Sequence, residues 1–184
     1  MKALLLFLLI SSAWELRFGS ERRIAAGVQS HEQASEIKTT YDSTKDKTTV
    51  SLPRVKVSGA KEKYYSLHIA ASFSYSGHTP VTPEFVNFEI HSVVKARKLD
   101  PDLYVVLLLD GETIFLSSNR SAVRNPVPGK PWIGERMVFR MPYDTLIKLT
   151  SAKVVAIRMD GARFDVAERS LQRLRDFQTY ARQH

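Results

Sequence analysis

From Tyr64 to Tyr75 the chain alternates without a break: Tyr65, Leu67, Ile69, Ala71, Phe73 and Tyr75 fall on one side, and Ser66, His68, Ala70, Ser72 and Ser74 on the other. A period of two is the mark of a strand with one buried and one wet face. Phe85–Val94 repeats it, with Val86, Phe88 and Ile90 inward and Asn87, Glu89 and His91 outward. Upstream, Lys47–Leu52 and Arg54–Ser58 predict a first strand interrupted by Pro53, which has no N–H to give a ladder and so marks an edge, a bulge or a bend.

Leu103–Leu109 is continuously apolar, as a strand covered on both faces would be, and it ends at Asp110-Gly111. That dipeptide predicts a two-residue hairpin turn, because both residues tolerate positive φ, with Thr113–Leu116 as the returning strand. Lys153–Met159 and Ala162–Val166 flank Asp160-Gly161 in the same way. Aligning Val105-Val106 with Val154-Val155 suggests a repeat, but the spacing to the aspartate then differs by one residue, and such a slip reverses the buried face. Shared hairpin chemistry is the favoured explanation.

Ser117–Pro131, with its prolines and glycine, predicts a long surface loop, and Glu135–Met141 a further strand stopped by Pro142. Leu146, Ile147 and Leu149 cluster as a short helix over Tyr143–Ser151 requires. A last helix is expected to start with Asp165 as cap and Glu168 reaching back to it. Its stripe, Ala167, Leu171, Leu174, Phe177 and Ala181, would dock on the sheet while Arg169, Arg173, Arg175 and Arg182 mostly face water. Together these elements predict a mainly β, β-sandwich-like domain of about seven or eight mostly antiparallel strands, with a short internal helix and a C-terminal amphipathic helix.

The N-terminus has a different texture. Lys2 precedes eight apolar residues, Ala3–Ile10, and Ser11-Ser12-Ala13 offers small residues where a signal peptidase reads. The run meets Glu15 long before the length of about 20 residues that a membrane-spanning helix needs. Residues 1–19 are therefore read as a signal peptide, cut after Ala13 or as late as Gly27, and residues 20–47 as a polar linker ahead of a single domain over 48–184. The brevity of the apolar run also fits a leader that begins further upstream, with the folded domain starting near Tyr41. The competing reading makes residues 3–14 a buried element of the fold.

Charge and composition narrow the functional classes. A chain of 184 residues that is 43% hydrophobic supports one well-buried core. Its 27 basic against 19 acidic residues give a formal charge of +8, which favours anionic partners. The cations come in ones and twos, such as Arg22 and Arg23 or Lys61 and Lys63, which fits a solvated basic surface and argues against nucleic acid. The absence of cysteine excludes disulfides, thiolate zinc sites, a cysteine nucleophile and a lipidated N-terminal cysteine.

Candidate chemistry is sparse. There is no Gly-x-Ser-x-Gly elbow, no Ser-x-x-Lys at a helix start and no glycine-rich phosphate loop, so no cofactor is expected. The aspartates at the two hairpin tips are explained by turn chemistry. His68 and His91 lie on separate strands and would meet if those strands pair, as a metal-binding or general-base pair or as ordinary strand histidines. Trp132, beside Pro131, and Tyr104, out of phase with Val105 and Leu107, are the aromatics singled out as binding candidates.

Asp42-x3-Asp46-x-Thr48-x-Val50, Pro142-Tyr143 with Lys148-Leu149, and Phe164 through Leu171-x2-Leu174-Arg175-Asp176-Phe177 resemble a loose group of small exported bacterial β-rich proteins of unknown function. The resemblance implies export and a β-rich fold, and it brings no catalytic residue or mechanism. The expected function is a non-catalytic binding or structural module of the cell envelope or secreted space, with a protein or glycan partner. Two alternatives are a hydrolase using His68 or His91, and a basic domain on an anionic surface in which the last helix's arginines merge with Arg136, Arg140 and Lys148.

Overall fold

The period-two segments form strands of two antiparallel sheets. The structure, a computed structural model, describes residues 37–58, 64–95, 105–116 and 123–183. Tyr104 and the segments read as signal peptide and most of the linker lie outside the described residues. In chain order the elements are β1 (Lys38–Asp42), β2 (Lys47–Ser58), β3 (Tyr64–Ser76), β4 (Phe85–Lys95), β5 (Val105–Leu109), β6 (Glu112–Leu116), β7 (Val123–Pro126), β8 (Trp132–Pro142), α1 (Tyr143–Ser151), β9 (Val155–Met159), β10 (Ala162–Asp165) and α2 (Glu168–Gln183). A six-stranded sheet runs β1-β2-β3-β4-β8-β7 and a four-stranded one β10-β9-β5-β6.

The fold is β-rich, as the alternation predicts, and the described residues hold ten strands rather than seven or eight. The two additions are edge strands. β1 falls in the stretch read as linker, and β7 in the stretch read as loop. Both expose nearly all their side chains, so neither carries an alternating apolar signal, and backbone pairing places them, with side-chain contacts such as Thr39 to Tyr180 and Arg124 to Glu135 beside it. The turn joining β1 to β2 is fixed by the Asp42 carboxylate, which accepts from the Thr44 and Lys45 N–H groups, and by Asp46 at φ 45°.

One face of the larger sheet is apolar. Val50, Leu52, Val55 and Val57 of β2, Leu67, Ile69, Ala71 and Phe73 of β3, and Val86, Phe88, Ile90 and Val94 of β4 are all buried. Pro53 does mark a bulge: pairing jumps from Leu52↔Ala71 to Val55↔Ile69, one extra residue on β2. A second irregularity, where Tyr64 pairs with Val94 but Ser66 with Val93, shifts the phase at the start of β3. Strict alternation sends Tyr64 to the wet face, whereas the bulge turns it into the core, edge-on to Phe164 at 5.1 Å between ring centroids.

The smaller sheet joins the two Asp-Gly hairpins. Asp110 (φ 48°) and Gly111 (φ 96°), and Asp160 (φ 49°) and Gly161 (φ 79°), adopt the positive φ that such turns demand. The inner strands pair about Leu107↔Ile157, with Val105 opposite Met159 and Leu109 opposite Val155. Aligned on their turns rather than on their valine pairs, the hairpins match strand for strand. The Asp110 carboxylate reaches across to accept from the Lys153 and Val154 N–H groups at 2.7 to 3.1 Å, locking one hairpin to the other.

Leu171, Leu174, Phe177 and Ala181 of α2 are buried in the shared core, with Phe177 against Phe73 at 5.7 Å. Asp165 does not cap this helix. It ends β10 and accepts from Arg163 Nε at 2.9 Å, while Glu168 pairs with Arg175. Arg175 is not solvated like its neighbours on the polar face: it donates to the Thr150 and Ala152 carbonyls, satisfying the C-terminus of α1.

Phe177→Ala is expected to lower stability by about 3–5 kcal/mol, because the packed core cannot fill the void. Gly111→Ala, where an added methyl meets nothing within 4 Å, should cost only the left-handed backbone penalty of about 1 kcal/mol. Urea unfolding of both variants checks the ranking.

Candidate functional site

The outward face of the larger sheet is built by the same register that buries the inward one. His68 of β3 stands directly opposite His91 of β4, and His91 opposite Arg136 of β8. One step along, Val93 pairs with Gly134, and Gly134 with Asn125 of β7. The β2 bulge sets Arg54 out of the inward phase kept by Leu52 and Val55, so that it lines the same groove. The far wall is the turn after β7, where Val127 N donates to the Trp132 carbonyl, Lys130 N donates to that of Val127, and Gly129 takes φ 69°. Between this wall and the histidine row lies a groove of about 650 Å3.

Glu89 organises the row. Its Oε2 accepts from Arg136 Nε at 2.8 Å and from His91 Nε2 at 2.8 Å, while its Oε1 accepts from Arg136 Nη2 at 2.6 Å. The two-pronged guanidinium contact holds the carboxyl below the usual glutamate range, against an opposing push from burial and with help from His91. Burial lowers the imidazoles of both histidines. For His68 the charges of Arg54 and Lys56 and the neighbouring His91 add to it, and for His91 the bond to Glu89 opposes it. Both shifts favour the neutral ring, and a neutral His91 carries its proton on Nε2, since the carboxylate it faces only accepts.

The other face of the same strands gives a contrast. Ser92 and Glu135 pair across β4 and β8 in line with the core residues and are buried, though both also border the groove. Arg124 reaches it at 2.9 Å and Ser92 Oγ at 3.4 Å, yet burial dominates and raises the Glu135 carboxyl.

Of the four residues singled out from sequence, His68 and His91 come together in the groove. Trp132 is half-buried opposite Lys95, with Lys130 Nζ 5.6 Å from its ring centroid, and does not line the groove. Tyr104 lies outside the described residues. Arg54, Glu89 and Arg136 escaped the sequence reading as a site. Pro53 carried the signal for the first, and the shared outward phase of Glu89 and His91 for the second. Arg136 and Arg140 project from the face of β8 opposite its apolar, core-facing side, with Arg140 3.9 Å over the Phe85 ring. Arg136, Lys148 and Arg175 engage Glu89, Glu112 and Glu168 respectively, in separate pairs.

Among the described residues, no three of His, Asp and Glu gather as a metal site, and no helix is long and apolar enough to cross a membrane. Comparison with protein-family models, with characterised proteins and with solved structures finds no match to the chain.

The lowered Glu89 pKa contributes stability that is present above the ordinary glutamate range and lost as pH falls through the lowered value. Arg136→Ala should therefore raise the Glu89 titration in a carboxyl-detected NMR series. It should also cost about 1–2 kcal/mol at neutral pH, a figure discounted because the arginine is half exposed.

Proposed function

We propose that this chain is an exported module that binds rather than transforms, acting in the periplasm, on the cell surface or in the secreted space, and that it holds a protein or glycan partner through the groove beside His68 and His91. The clamp on Glu89 carries this reading. The groove gathers two imidazoles and a carboxylate, but that carboxylate already accepts two guanidinium bonds and the His91 Nε2 proton. It is committed to holding the row in place. A general base works best with a pKa near the working pH, whereas burial depresses both imidazoles here. Small-ligand sites typically enclose about 300–1,000 Å3, and the groove lies in that range. Export is supported by Lys2, the apolar run Ala3–Ile10 and the small residues at Ser11-Ser12-Ala13.

A second reading, hydrolysis with His91 as general base and Glu89 as its orienting carboxylate, draws on the same 2.8 Å contact. It would use water as the nucleophile, because among the described residues no serine or threonine hydroxyl bonds to either imidazole.

Fractionating a bacterium that expresses the full chain, with mass spectrometry of the N-terminus, should find it outside the cytoplasm and starting between Trp14 and Val28. The exported protein should sediment saturably with isolated envelopes, and His68→Gln with His91→Gln should weaken this by about tenfold with the circular dichroism spectrum unchanged. A cytosolic chain with an intact N-terminus would overturn export. Sedimentation indifferent to the double variant would overturn the groove, and turnover of ester, glycoside or phosphoester substrates that His91→Gln abolishes would favour the hydrolase.

A further inference from the structure

The groove's surroundings say what kind of group it would hold. Arg54 of β2, His68 of β3, His91 of β4, and Glu135 and Arg136 of β8 line it, and Glu89 lies beside them, bound to His91 and Arg136. Lys56 stands opposite His68 in the β2–β3 ladder. On β7, Arg124 is bound to Glu135. Each of the two carboxylates is met by a guanidinium, Glu89 by Arg136 and Glu135 by Arg124, which leaves Arg54 and Lys56 as the cations in excess. A divalent cation would sit in a repulsive field, despite the two imidazoles. An anion would find an attractive one. His68 can donate without being charged, whereas the single N–H of neutral His91 is given to Glu89, so His91 donates to an anion through Nδ1 only once protonated. The opposite wall is mostly apolar, made by valines and prolines with Asn125 among them.

We infer that the groove is an oxyanion subsite, in which Arg54 and the paired imidazoles of His68 and His91 receive a carboxylate or phosphate of a small ligand while Val93, Val127 and Pro128 cover its adjoining carbons. This rests on the binding reading above and names the group that is bound. Arg54 supplies the permanent charge and a planar fork matched to two oxygens. The bulge at Pro53 is what brings that fork to the histidine row, since unbroken alternation from Leu52 would turn Arg54 inward. An anion beside two neutral imidazoles favours their protonated forms, so binding takes up protons and tightens as pH falls. Glu89 does not compete for Arg54, because its lone pairs are directed to Arg136 and His91.

The test is an NMR titration of the exported chain with digalacturonate, with its dimethyl ester and with glycerol 3-phosphate. The two acids distinguish a carboxylate from a phosphate source, and the ester removes the charge while keeping the sugars. At least one acid should shift the groove resonances saturably, and if digalacturonate binds, its affinity should rise about tenfold between about pH 7.5 and about pH 5.5. The ester should bind at least about tenfold more weakly than the acid. Arg54→Glu should abolish the effect and Arg54→Lys, which keeps the charge but not the fork, should keep part of it, both with unchanged melting temperatures, since Arg54 is exposed. Ester and acid binding equally, neither acid binding saturably, or Arg54→Glu leaving affinity intact would overturn the inference. In any of these cases, envelope sedimentation that still depends on the two histidines leaves the binding module standing without an anion subsite. Loss of that dependence as well removes both.

Discussion

The register of β3, β4 and β8 is the constraint on which the rest depends. Burial of one face of the sheet fixes it, because a slip of one residue would turn Ile69, Ile90 and Met137, or Ala71, Phe88 and Phe139, out into water. Each of the five larger side chains is worth about 1.5–3 kcal/mol of burial, so no polar contact on the opposite face could compete with their sum. The outward row of His68, His91 and Arg136 therefore follows from the core. The site is a by-product of packing in its placement, and what is specific to it is the choice of side chains at those outward positions. The same logic places Ser92 and Glu135 inward, in the row that Leu67 begins.

Two glutamates on neighbouring strands show how little the residue type alone decides. Glu89 faces outward and meets a guanidinium through two bonds, and its carboxyl is pulled down. Glu135 faces inward, meets Arg124 through one short contact, and is pushed up by burial. The first is a settled charge that shapes the groove around it. The second is a strained one at the end of the core, where one partly exposed arginine offsets only part of the desolvation.

Much of the architecture was legible because the chain writes its buried faces in period two and its turns in Asp-Gly. The β3 and β4 faces, both hairpins, the α1 span and the apolar stripe of α2 follow from residues in sight of one another, except that Ala167, expected to head the stripe, precedes the helix and is exposed. What escaped was held by backbone or by tertiary contact. β1 and β7 expose their side chains and leave no alternation to read, and the inward turn of Tyr64 depends on a bulge that period two does not encode. Arg175 looked like a solvated helix arginine because its partners, the last carbonyls of α1, are more than twenty residues away in sequence. For the site, alternation already put Glu89 and His91 on one face, and the hairpin-like spacing allowed His68 to meet His91. The contribution of Arg136 needed β8 to be the next strand over, which sequence order hides, since β5, β6 and β7 intervene.

The central claim is that this register assembles a fixed, neutral imidazole row braced by Glu89 and Arg136. Nitrogen-15 NMR of the imidazole rings across a pH series reads it most directly. The account requires His91 to be protonated on Nε2 in its neutral form, and both His68 and His91 to titrate below the ordinary imidazole range. Rings that titrate at the ordinary value, with His91 carrying its neutral-state proton on Nδ1, would contradict the row and with it the groove's proposed role.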